Sequence, residues 1–394
     1  AGHGEHALPV LAGQVHGRGQ PVEPLPEQAE NIRLALRRDH AAGTADEEPQ
    51  AKRLLKPGDV VLDIGANIGA HTVALAAMVV GVAPDAQEQA AEGANAVMPW
   101  AYTLNAPAPS GGRTAPDPNE VLRVPGSSVT FMRSQMRDLF NPPDWHPDNH
   151  PAMPPVVANG RAPDVRACGF CHLPNGQGRP ENASVAGQPA EYIVQQMRDY
   201  RNGLRRSGEP RMGPPRLMVT IGMAATEAEA RAAAAYFSSF AFRPWIRVVE
   251  TDMVPVTRVR GWMLVPVEGG GMEPIGTRII ETPEELERVE VRDSEASFLA
   301  YVPTGAVARG ETLVTTGGNG KTVTCTVCHG PDLRGLGPVP AIAGRSPSYV
   351  ARQLYDLQIG VRNGAWSDLM DAAVANLSVE DIVNIAAYTA SLEP

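Results

Sequence analysis

The chain has 394 residues, enough for two or three domains, and carries a formal net charge of -10. That acidic balance excludes nucleic acid as the main partner, because phosphate binding wants a concentrated basic surface. Gly 39 and Pro 37 together approach a fifth of the chain, so long loops are expected, and the aromatic share of 5% is low.

The chain begins at Ala1 rather than Met, which fits N-terminal processing or a piece of a longer chain. In "LLKPGDVVLDIGANIGAHTVALA" the sequence predicts a strand over Val60 to Ile64, a Gly-bearing turn and a helix. This stretch resembles the first βα unit of FkbM-type methyltransferases, and the resemblance implies that Asp63, Gly65 and Gly69 border S-adenosylmethionine. Such a family next needs a second strand ending in an acid that holds the ribose. Asp85 is the nearby candidate, reached with no helix-to-strand turn, and the Ala-, Pro- and Ser-rich sequence beyond it leaves no room for further βα units. Segment 1–85 is therefore read as a structural remnant, or a reading frame joined from two sources, rather than a working methyltransferase. Its apolar run, Thr72 to Ala83, is shorter than the about 20 residues a bilayer span needs. Without a basic flank, and with Pro84 behind it, the run reads as a buried helix rather than a signal sequence. No transmembrane segment is expected.

Segment 86–156 is a Pro-rich leader with one predicted helix, Val129 to Phe140. His146 and His150 sit in Pro-punctuated sequence and are expected at the surface rather than on a metal.

The chemistry begins at "VRACGFCHLPNGQG", which sets Cys168 and Cys171 two residues apart with His172 directly behind. The same pattern returns 157 residues on, from 168 to 325, as "CTVCHGPDLRG" with Cys325, Cys328 and His329, and the chain's four cysteines are thereby used. C-x-x-C-H is the attachment pattern of a c-type haem: two thioethers to the porphyrin and a histidine beneath the iron. Zinc would want two nearby pairs or paired histidines. A thiol redox site would want the C-x-x-C at a helix start in a βαβ unit, whereas both copies run into Pro/Gly-rich loop.

More than the cysteines repeats. At the same spacing Ala186-Gly187 falls on Ala343-Gly344, Tyr192 on Tyr349, Gln196 on Gln353, Asp199 on Asp356, Gly203 on Gly360 and Arg205 on Arg362. After five extra residues in the first copy, Leu217 to Phe240 runs beside Leu369 to Leu392, aligning Met218 with Met370 and Tyr236 with Tyr388. Apolar spacing and a closing glycine predict a helix before each Gly203 or Gly360. Thr226-x-x-Glu229 and Ser378-x-x-Asp381 predict a capped final helix. Each unit thus reads as haem motif, loop, helix, Met-bearing loop and final helix, too small for a core of its own unless a haem supplies apolar surface.

The two units resemble class I cytochrome c domains, and the pair is similar to the dihaem cytochrome c4 type. The resemblance implies two covalently attached haem c groups, with His172 and His329 as proximal ligands and Met218 and Met370 as distal ones. Met212 and Met223 are set aside: the first lies in the five-residue expansion before a Gly-Pro-Pro turn expected to be exposed, and the second aligns with Ala375 and is expected to pack. The expected fold is mainly α, with cytochrome modules at 157–243 and 306–394 and a β-rich insertion at 244–305 between them. Val, Ile and Thr with turn signals at Gly261 and Gly269 to Gly271 predict the insertion's strands, followed by a one-turn helix and a last strand. Cytochrome c4 joins its units by a short linker, so this insertion is a departure.

The expected function is one-electron transfer by a dihaem cytochrome c between redox proteins, and not an enzyme activity. Filled axial sites on both irons leave no open position for substrate. The alternatives are a dihaem peroxidase-like enzyme and the cytochrome subunit of a dehydrogenase. Covalent haem attachment in bacteria implies, through the family, a periplasmic or exported protein. From Arg198 to Arg216 there are six arginines against Asp199 and Glu209, which predicts docking of an acidic partner near the first module.

Overall fold

The computed structural model describes residues 98–106 and 116–394. The methyltransferase-like stretch and the run Thr72 to Ala83 lie outside these residues. In the leader, β1 (Val121–Leu122) pairs antiparallel with β2 (Phe131–Met132). The helix expected over Val129 to Phe140 is instead this strand and a short 3-10 turn, Arg133–Arg137. The Gln135 side chain accepts from the Met132 N–H (2.6 Å), and the Asp138 carboxylate accepts from the Phe140 N–H (2.9 Å). Local side-chain acceptors of this kind close turns and stop helices.

The surface placement expected of His146 and His150 is wrong. Both imidazoles are buried, His146 Nε2 lying 2.9 Å from Asp293 and His150 Nε2 3.0 Å from Asp144. The carboxylate meeting His146 is supplied by the insertion, 147 residues away, a partner that no local pattern announces.

The first module comprises α1 (Pro155–Ala158), α2 (Cys168–His172), α3 (Ala190–Arg201), α4 (Gly213–Ala224) and α5 (Glu227–Ser238). The expected Met-bearing loop is the helix α4. Pro214 and Pro215 fall in its first turn, where a missing N–H is not needed for intrahelical bonding. The capping box is as predicted, with Glu229 N–H donating to Thr226 Oγ1 and Thr226 N–H to the Glu229 carboxylate.

The insertion is β-rich, as expected. Its strands are β3 (Ile246–Glu250), β4 (Met253–Pro255), β5 (Thr257–Arg260), β6 (Met263–Pro266), β7 (Met272–Pro274), β8 (Ile280–Pro283) and β9 (Phe298–Val302), with α6 (Leu286–Glu290) before the last. β9 is central, parallel to β3 and antiparallel to β8. Its alternating Phe298, Ala300 and Val302 are buried, the period-two pattern of a sheet with one inward face. Gly261 and Trp262 both take positive φ between β5 and β6, the two-residue turn whose twist matches a hairpin.

The second module comprises α7 (Ala306–Thr316), α8 (Thr326–His329), α9 (Pro347–Gln358), α10 (Asp371–Val374) and α11 (Val379–Ser391). α7 crosses α11 at Gly310, where a Cβ would lie 1.9 Å from the Asn384 carbonyl, so glycine is required. The first module has only the single turn of α1 in the corresponding place, because Pro154 and Pro155 start it late. The leader covers α5 instead: His150 packs edge-on against Tyr236, whose hydroxyl lies 3.1 Å from His150 Nδ1.

The two modules face each other through their repeated landmark residues. Arg205 donates to Tyr349 Oη and Gln353 Oε1, each at 2.8 Å, while Arg362 donates to Tyr192 Oη at 3.0 Å and Gln196 Oε1 at 3.3 Å. Two further contacts repeat the exchange: Gln188 bonds both ways with the backbone of Ala341, and Arg345 donates to the Ser184 carbonyl. These pairs interchange under the 157-residue offset, the mark of a self-complementary twofold contact.

Arg205 is buried, and its removal takes a donor from Gln196, Tyr349 and Gln353, of which the two glutamines keep the weaker bonds from Arg362. Arg205→Met is expected to cost about 2–4 kcal/mol of stability in denaturant unfolding of the haem-loaded protein. Combining it with Arg362→Met is expected to cost less than the sum of the two, since both act in one network.

Asp356 gives a pH signature. Burial pushes its carboxyl up to about 6, against the pull of hydrogen bonds from Tyr102 and Gly208 and of the Arg352 and Arg205 charges. The unfolded value is near 3.9, so between about pH 4 and 6 the native state holds a proton that the unfolded chain has lost. Stability from this group is therefore greatest below about pH 4 and falls as pH rises toward 6, then levels. Both Tyr102 and Gly208 donate to Oδ1, which an asparagine keeps. Asp356→Asn is expected to flatten that part of the unfolding midpoint against pH; an unchanged slope would assign it elsewhere.

Candidate haem centres

One helical turn brings Cys168, Cys171 and His172 to the same side of α2, since residues three and four apart are neighbours on a helix. The second motif folds alike, with Cys325 capping α8 and His329 ending it. Both turns stop at a positive φ in the equivalent place, Leu173 and Gly330. His172 Nδ1 lies 2.8 Å from the Ala183 carbonyl and His329 Nδ1 2.8 Å from the Pro340 carbonyl, each eleven residues further on. An Nδ1–H donated to a carbonyl fixes the ring and leaves Nε2 with its lone pair for a metal. Burial lowers both imidazole pKa values, which keeps the rings neutral. The sequence showed the histidines but not these acceptors, because a backbone carbonyl has no residue signature; Ala183 and Pro340 coincide only through the offset.

Burial pushes the Cys168 thiol up to about 12 and the Cys325 thiol to about 11. Reactive thiols have the opposite shift, so thiol redox chemistry finds no support here. Among the described residues no group of three or more His, Cys, Asp or Glu side chains is placed to hold a metal ion.

Three methionines differ sharply in the first module. Met212 has no exposed surface and packs into the core shared with the second module, while Met223 is 66% exposed, against the packing role expected of it. The exposed turn expected after Met212 is a correction too: Gly213 is buried, and a Cβ there would meet the Trp262 ring at 2.5 Å. Met218 is half-buried on α4, and Met370 is half-buried at the end of a 3-10 turn, Ser367–Met370, packed beside the main core.

The residues present fit a haem. Arg345 stacks over Phe242 at 3.7 Å, burial lowers its guanidinium to about 9, and its Nε has no acceptor. Arg179 Nε is likewise buried and unpartnered. Buried cationic donors short of acceptors suit the carboxylates of a haem. Apolar surface also lies open beside the second ligand set: Val327 within the motif and Leu369 next to Met370.

Of the six arginines from Arg198 to Arg216, Arg206, Arg211 and Arg216 are exposed. Arg205 is buried between the modules, Arg198 pairs with Glu227, Arg201 caps the carbonyls of Gly222 and Ala225, and Arg211 pairs with Glu209. These four arginines bond within the fold.

No family model matches the chain. Cytochrome c-554(548) of Halomonas halodenitrificans is 40% identical over 77 residues, 19% of this chain and 93% of that protein. Cytochrome c4 of Azotobacter vinelandii is 33% identical over 84 residues, 20% of this chain and 40% of that protein, so this chain spans less than half of that relative. Among solved structures, reduced recombinant cytochrome c4 from Pseudomonas stutzeri overlaps 57% of this chain and 93% of its own, at 21% identity and a TM-score of 0.38.

From the repeat we propose Met218, rather than Met212 or Met223, for the first iron. On that proposal Met218→Ala converts one haem to a high-spin or misligated form, seen as loss of half the low-spin signal in the absorption spectrum. Met212→Ala leaves both spectra intact but lowers stability by about 2–5 kcal/mol, and Met223→Ala changes neither. Loss of low-spin signal in Met212→Ala would transfer the ligand role to it.

Proposed function

Because the chain belongs to the cytochrome c4/c-554 family of class I c-type cytochromes, we propose that it carries single electrons between exported redox proteins through two His/Met-ligated haems. It is a dihaem electron-transfer cytochrome with two covalently bound haem c groups; the ligand set, the module limits and the compartment are the finer parts of the proposal. Cys168 and Cys171 hold one haem and Cys325 and Cys328 the other, within modules at 157–243 and 306–394. His172 and Met218 face the first iron, His329 and Met370 the second. The observation that carries this reading is the pair of equivalent histidines, each with Nδ1 on a carbonyl eleven residues downstream.

Haem supplies the one-electron couple. The protein's residues would do the rest: the cysteines and histidines would hold each haem, the methionines would complete its ligand set, and the buried interface holds the units together. Filled axial positions favour electron transfer over peroxide chemistry, which needs a displaceable ligand. Among the described residues no helix is long and apolar enough to cross a membrane.

The test is mass spectrometry of the denatured chain together with a redox titration. Two retained haems and two one-electron waves are expected, and Cys168→Ala with Cys171→Ala should leave one of each. A single haem in the native sequence, or reduced protein that binds carbon monoxide at both irons, would overturn the proposal.

A further inference from the structure

The two haem motifs are alike in local structure and opposite in exposure. Phe170, between the first pair of cysteines, is 8% exposed; its counterpart Val327 is 68% exposed. Cys171 is half-buried, whereas Cys328 is exposed. Behind the motif, residues 173–178 are buried in the first module, while most of residues 330–337 in the second are exposed or half-exposed, Leu336 among them.

The insertion makes the difference. Its Arg292 lies 3.5 Å above the Phe170 ring and donates to the Phe170 carbonyl at 2.6 Å. Asn175 donates to the Ser294 carbonyl and Gln177 to the Ala296 carbonyl, so the loop behind the first motif is also tied to the insertion. The leader adds Trp145, whose Nε1–H donates to the Val291 carbonyl. Thioether bonds hold a haem edge within a few bonds of its cysteines, so whatever covers the motif covers that edge. A haem edge held at the first motif would therefore lie under the insertion, and one held at the second would be open.

Around the open motif the surface is apolar at the centre and acidic at the rim. Val323, Val327, Leu336, Trp366 and Leu369 are exposed, and Thr322 Oγ1 donates to the Ala373 carbonyl, which joins the motif side to the Met370 side. Asp332, Asp368, Asp371 and Glu380 are exposed about these segments. Of the nearby cations Arg345 and Arg352 are buried and Arg362 serves the module contact, while Arg309 pairs with Glu380 and Lys321 with Asp381; the exposed Arg334 then stands against Asp332, Asp368 and Asp371, and the rim stays net acidic. Complementary potential governs the association of redox proteins.

We propose that the second module is the single electron port of this protein, and that it docks a one-electron redox protein with a lysine- or arginine-rich rim around its own apolar centre. One electron would pass between that partner's metal and the haem held by His329; one is oxidised as the other is reduced, with no bond made or broken. The first haem exchanges electrons through the second. The proposal rests on the electron-transfer reading given above.

The test uses the haem-loaded protein. A neutral soluble gadolinium chelate is expected to broaden the paramagnetically shifted methyl signals of the second haem and spare those of the first. A lysine-rimmed monohaem cytochrome c serves as the binding probe at low salt. Asp332→Lys with Asp368→Lys is expected to weaken its binding about tenfold, while the same charge change at Asp164 and Glu191 of the first module leaves binding unaltered. Equal broadening of both haems, or equal loss of affinity in the two double variants, overturns the single port. A chain lacking two haems overturns the functional reading and the port with it; two haems broadened alike overturn the port alone.

Discussion

The contact on which the molecule depends is the exchange between Arg205 and Arg362. Each guanidinium reaches across to a tyrosine and a glutamine of the other module. These acceptors are neutral, so two positive charges stay at the interface. Burying a charge is costly unless its donors are met, which leaves little freedom in how the modules pack. The same charges reach the haem centres. Arg205 helps to lower the pKa of His172, and Arg362 that of His329. The contact that joins the modules thus also opposes protonation of both histidines.

The twofold likeness of the modules ends where the insertion begins. Residues 244–305 are sequence added between two equivalent units, and they fold onto the first motif through Arg292, Ser294 and Ala296. On the side of the second module β8 packs against α9, where Ser346 and Ser348 bond the buried Glu281. One element therefore touches both modules but shields one haem motif. Two similar electron sites become unequal without any change in their ligands.

What the sequence made legible was local or periodic. C-x-x-C-H, the capping boxes at Thr226 and Ser378 and the hairpin turn at Gly261 each depend on residues within a few positions, the 157-residue offset is a repeat, and each folds as read. The failures share another cause. His146 meets Asp293, Trp145 meets Val291, and Arg205 meets Tyr349, all more than 100 residues apart. A histidine between prolines and an arginine in a basic run look solvent-exposed until the distant partner is known. The repeat did mark Tyr192, Gln196 and Arg205 as landmarks, yet nothing in one chain's spacing says that their bonds cross to the other copy.

The first module explains why the insertion and leader are retained against it. Its own buried cluster is small: Val156, Val157, Val165, Ala225, Ala233, Tyr236 and Phe237. The second module instead shares a continuous core with the insertion, from Val254 and Ile280 through Leu313 to Ile385. A core as small as the first cannot offset the chain entropy of its loops unaided. Haem adds apolar surface on one side, and His150 on Tyr236 and Arg292 on Phe170 add it on the other. Stability and shielding therefore come from the same contacts. Opening the first haem edge to partners means removing packing that the first module needs to fold, and this coupling favours leaving electron exchange to the second.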